Sequence, residues 1–186
     1  MPTADSISEF EPTPSRYGTF KDRALASLID GVIFIPLIVI DRFNKLDWKS
    51  QILLTIVFLV GVIYKPLLEF KYGATIGKKL MNLIVVNKNH QKVNLKEVLI
   101  RNLFDITSRM FFFGATLMTY RSDGFMNITS NREFVIFQKT IINMNPYLLF
   151  FFSITVIEIV FILSDKQRRA LHDRMGATFV IKDKNQ

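Results

Sequence analysis

Three apolar blocks, each long enough to span a bilayer as a helix, constrain this chain more than any other feature. Residues 24–40 read ALASLIDGVIFIPLIVI and hold one charge, Asp30. Residues 52–70 read ILLTIVFLVGVIYKPLLEF, with Lys65 and Glu69 near the end. Residues 147–163 read YLLFFFSITVIEIVFIL, interrupted by Glu158. A helix of this length, rising 1.5 Å per residue, crosses a hydrocarbon core of about 30 Å with slight thinning. Residues 52–64 keep no polar face, whereas a helix of a soluble domain normally does. Several such blocks in 186 residues leave too little polar chain to cover them in water. The expectation is a multipass membrane protein.

A fourth block, residues 98–118, is shorter of apolar residues. Arg101, Asp105 and Arg109 recur every four positions and so form one polar stripe on a helix. The pattern predicts a helix that starts in the interface, turns its stripe to its neighbours and then crosses. The expected fold is mainly α: a bundle of about four transmembrane helices (near 24–40, 52–70, 98–118 and 147–163) with a small β element. That element is a hairpin over 80–95, whose β-branched run precedes a polar turn, and residues 178–181 are a further run able to pair with it. The domain is expected over 16–182, between a flexible N-terminal tail (1–15) and a short C-terminal tail (183–186). The acidic start, with no early apolar run, does not read as a secretory signal.

Charge then orients the chain. Lys and Arg number 24 against 16 acids, a net charge of +8. With four crossings and the N-terminus inside, 16 basic residues fall on one side and 6 on the other. The excess marks the cytoplasmic face, so both termini are expected there. The basic charge is thereby explained without nucleic acid, and no basic–aromatic or zinc-finger spacing revives that partner. Anionic lipid headgroups at the cytoplasmic face are the expected contact for the basic segments. With no cysteine and two histidines, no thiolate or His-cage metal site is expected, and no cofactor. No internal repeat is visible.

Three segments, in order around the apolar blocks, resemble the RDD family of bacterial membrane proteins. The first runs from Arg16 through Arg23 to Asp30, an Arg before the first helix and an Asp inside it. The second is Thr75-Ile76-Gly77-Lys78, ending in the run at Val85-Val86 and followed by Arg101-Asn102. The third is Arg168-Arg169-Ala170-Leu171-His172-Asp173 through Thr178. The resemblance covers about 16 to 182. It implies the inner membrane of a bacterium and ion transport, alkali cation/proton exchange included.

Read physically, Asp30 is a carboxylate inside the first span, which costs several kcal/mol unless paired, hydrated or protonated. Arg101, Arg109 and Lys65 are its candidate partners, and Arg23 shares its helix face. It serves either as a salt bridge between helices or as a proton or cation site. Glu158 is the deepest acid and a candidate relay. Glu69 reads as an i, i+4 pair with Lys65, and Asp105 as a paired acid between Arg101 and Arg109. Gly77 and Lys78 lack the remainder of a phosphate loop and read as a turn with lysines on headgroups. His172-Asp173 lacks the further ligands of a metal-dependent hydrolase, so no enzyme is expected; Asp173 reads as a cap or bridge and His172 as a pH-sensitive group. Two functions follow: a small homo-oligomeric transporter of monovalent cations or protons, or a non-transporting scaffold with structural intramembrane salt bridges.

Overall fold

The computed structural model describes residues 17–183. The expected tails at 1–15 and beyond 183, and Arg16, lie outside those residues. Along the chain come α1 (Phe20–Ile33), α2 (Ile35–Phe43), a π-helical turn (Asn44–Trp48) and α3 (Gln51–Tyr72). Then follow α4 (Ile76–Leu80), β1 (Leu83–Asn87), α5 (Leu95–Arg101) and α6 (Leu103–Tyr120). After a short 3-10 turn come α7 (Asn131–Ile141), α8 (Asn145–Ser164), α9 (Leu171–Met175) and β2 (Thr178–Lys182).

Among the described residues, two helices are long and apolar enough to cross a membrane: α3, with mean hydropathy 2.0, and α8, with 2.3. Ser50 caps α3 through the Leu53 N–H, and Gly73 ends it at φ 71°, a left-handed turn that suits glycine. Large apolar side chains such as Ile52, Leu149, Phe152 and Leu163 point outward along both. Surface of that kind and extent is covered by lipid, not water. The protein is therefore a membrane protein.

The first apolar block is not one straight helix. Thr19 and Asp22 cap each other's backbone at the start of α1. Pro36, in the first turn of α2, lacks an N–H, and its ring opposes continuous helix one turn earlier. The chain breaks at Phe34 and bends by 45°. Counted as one broken span, α1–α2 raises the candidate spans among the described residues to three, against an expected four. The expected helix over 98–118 is likewise two, α5 and α6. The side chain of Asn102, at their junction, donates to the Val98 carbonyl (2.9 Å) and to Glu69 (2.9 Å), which ends the polar stripe as a single face.

α6 runs antiparallel to α3. Phe58 stacks on Phe113 at 4.2 Å, Gly61 faces Arg109, Lys65 pairs with Asp105, and Glu69 meets Asn102. At one end of this pair Leu54, Tyr120, Phe125, Ile128 and Phe134 form a small core under α7. At the other end lies the sheet. β1 and β2 pair antiparallel with Val85 opposite Val180, and the Gly18 N–H donates to the Val180 carbonyl. The expected hairpin over 80–95 shrinks to a single bridge, Val86 to Lys92. Asn94 and Glu97 cap α5 reciprocally and turn the chain into helix before a second strand can form. Val85, Val93, Val98 and Val180 pack with Ala26 beneath the sheet.

Candidate functional site

Asp30 lies one turn before the break in the first span. Its Oδ1 accepts from the Tyr64 hydroxyl (2.8 Å) and the Gly77 N–H (2.8 Å), and its Oδ2 from the Thr75 hydroxyl (2.7 Å). All three donors are neutral. Thr75 also caps α4, accepting from the Lys78 N–H. The close seating of α4 on α1 depends on Gly77: a Cβ there would overlap the Ala26 carbonyl and press on Asp30. None of the expected partners of Asp30 (Arg101, Arg109 and Lys65) bonds it, and Arg23 turns away from it.

Arg23 instead reaches Asp173, 2.5 Å from its Oδ2, and donates to the Arg168 carbonyl (2.7 Å). Asp173 is fully buried and also accepts from the Ala170 N–H (3.0 Å), which starts α9. Its other oxygen pairs with Arg101, which donates to Thr178 (2.9 Å) and lies 3.3 Å from Glu69. Glu69 pairs in turn with Lys78. One buried network thus joins α1, α3, α4, α5, α9 and β2. Burial raises the Asp173 carboxyl, but the Arg101 and Arg23 guanidiniums outweigh it and hold it well below the usual carboxylate range. Burial pulls the Lys78 ammonium down to about 8 against the attraction of Glu69.

Sequence spacing misplaces several of these pairs. Glu69 is not the i, i+4 partner of Lys65; the side chain faces the α4–α5 end, where Lys78 and Arg101 converge. Asp105 is bound by Lys65 across the α3–α6 contact rather than by Arg101 or Arg109. Lys78 pairs with Glu69. Tyr64 and Asn102 carry polar contacts that sequence reasoning missed. The only signal for Tyr64 was a polar tip inside an otherwise apolar stretch; for Asn102 it was its place in the Arg-Asn pair.

Between α1, α2, α3, α8 and α9 lies a cavity of about 630 Å³. It collects most of the residues singled out from sequence: Arg23, Asp30, Thr75, Lys78, Arg101, Arg109, Glu158 and His172 all line it. Gly77, Asp105 and Asp173 do not line it. Phe34, Ile38, Ile159 and Ile162 make its other side apolar. Glu158, from the middle of α8, lies 2.6 Å from His172 Nδ1, and His172 Nε2 lies 3.4 Å from Asp173. Burial lowers the His172 pKa below its ordinary value, and outweighs the Asp173 and Glu158 carboxylates that raise it.

Comparison with known proteins gives one match. The model of the RDD family covers residues 17–177. No curated protein and no solved structure matches the chain.

Proposed function

The chain belongs to the RDD family, and on that premise we propose that it is a small transporter of monovalent cations or protons, with the cavity as its site. The observation that carries this reading is a contrast among carboxylates. Glu69, Asp105 and Asp173 each have a Lys or Arg within ion-pair distance. Asp30 and Glu158, from different helices, face one cavity and have none among the described residues. Asp30 is held by neutral donors and Glu158 by a histidine. A carboxylate in a membrane without a fixed countercharge is free to take a proton or a cation. The break at Phe34, beside the cavity, puts a discontinuous helix where transporters place their sites.

In this reading α6 crosses beside α3 and completes four crossings. The basic excess then sets both termini and the sheet in the cytoplasm of a bacterium, at the inner membrane. Four short spans enclose little volume, so a homo-oligomer supplies the remaining walls. The test is flux in proteoliposomes with an internal pH dye, under imposed Na⁺, K⁺ or proton gradients. The wild type is expected to convert a cation gradient into a pH change or to dissipate a proton gradient. Glu158→Gln is expected to abolish that response while the protein stays folded. Unchanged flux in Glu158→Gln and Asp30→Asn would remove both from the mechanism.

A second reading has its own support. The buried network around Asp173 uses five charged side chains simply to fasten α1, α3, α4, α5 and α9 together. A scaffold would need that and no more. It predicts no flux under any gradient and co-purification with a defined partner.

A further inference from the structure

Of the five basic side chains that line the cavity, four have a carboxylate partner: Arg23, Lys65, Lys78 and Arg101. Arg109 has none among the described residues. Asp105, one turn away on α6, is taken by Lys65. Asp30 and Glu158 share the cavity with Arg109 but bond to other groups. Arg109 also lines a second cavity of about 260 Å³, between α2, α3 and α6. It is therefore the side chain that stands between the two. The acid in the second cavity, Asp41, is 2.5 Å from Lys45 and so is already neutralised. Across from Arg109 the α3 helix has a glycine: a Cβ on Gly61 would lie 3.1 Å from Arg109 Nη1. The guanidinium lies close against the glycine, so a side chain there would press on it.

From this geometry we infer that Arg109 is the ligand for an oxyanion, a carboxylate or phosphate group, held where the two cavities meet. An unpaired guanidinium between membrane helices is costly without a countercharge. Its planar fork suits two oxygens of one anionic group. The inference rests on the transporter reading for its purpose, and adds an oxyanion to the groups the cavity holds. The apolar walls of the second cavity, with Phe58, Phe112 and Phe113, suit a small organic anion as well as an inorganic one.

Binding is tested apart from transport. The full chain in phosphatidylcholine nanodiscs is melted against inorganic phosphate and succinate at constant ionic strength, with chloride as the control. Phosphate or succinate is expected to raise the midpoint by several degrees, chloride far less. Arg109→Gln is expected to lose the response and Arg109→Lys to keep part of it. If Arg109→Gln does not fold, Gly61→Ala presses on the guanidinium and is expected to weaken the titration. Discs containing phosphatidylglycerol separate the sources: a raised midpoint with no further solute response assigns the site to a lipid headgroup. No shift in the wild type in either disc, or a full shift retained in Arg109→Gln, overturns the inference. A shift without flux leaves the anion site standing and defeats the transporter reading; cation-driven flux without a shift does the reverse.

Discussion

Arg101 and Asp173 are the pair on which most of the other polar contacts depend. Their side chains are 1% and 0% exposed, and Arg101 also faces Glu69. Removing one member of a buried ion pair leaves a bare charge and costs about 3–5 kcal/mol. Arg101→Ala is expected to destabilise the protein by about that amount in thermal unfolding. Because Arg101 still pairs with Asp173, the loss in Arg23→Ala is expected to be smaller. A double-mutant cycle between positions 101 and 173 measures the coupling directly, and additive effects would show the pair to be independent. Sequence pointed to Arg23, Arg101 and Asp173 as motif residues, but not to their meeting. Their separations along the chain run from 72 to 150 residues, and no local period reports such a contact.

At the scale of elements, the contact of α1 with α4 is the tightest. Asp30 accepts from the first turn of α4, and Gly77 lets the two backbones touch. Gly77→Ala brings a new methyl against the Ala26 carbonyl, which is backbone and cannot turn aside, as well as against Asp30. It is expected to lower the melting midpoint more than Asp30→Asn, which keeps the shape and most of the hydrogen bonds; a midpoint equal to wild type would refute the close seating. Overpacking of this kind costs about 1–3 kcal/mol. The breaks were only partly legible. Pro36 marks the one at Phe34, since proline opposes helix behind it. Asn102 gives no such mark, because its effect depends on Glu69 arriving from α3.

For the whole molecule, acidity is the condition that tests the network. Asp173 is held below its ordinary pKa, so its contribution is present above about pH 4 and is lost as pH falls below that. His172 is also lowered, so the folded state favours the neutral ring. As pH falls through 6.5 the unfolded chain takes up that proton more readily, and stability drops. Groups facing the ring are Glu158, Asp173 and Arg101. Melting midpoints between pH 8 and pH 3 are expected to fall in two stages. His172→Gln is expected to remove the upper stage and leave the lower; two unchanged stages would assign the upper one elsewhere.

The sequence by itself determined the membrane solvent, the spans at α3 and α8, the strand run that pairs as β2 and, through three separated segments, the family. These properties are local: apolar length, charge bias and short motifs act over one helix or one turn. The tertiary structure alone decided which charges meet. Lys65 leaves Glu69 for Asp105, Arg23 leaves Asp30 for Asp173, and Asp30 is left to neutral donors. In a low-dielectric interior a charge is satisfied by whatever group the packing brings within about 3 Å, and packing joins residues that sequence keeps far apart.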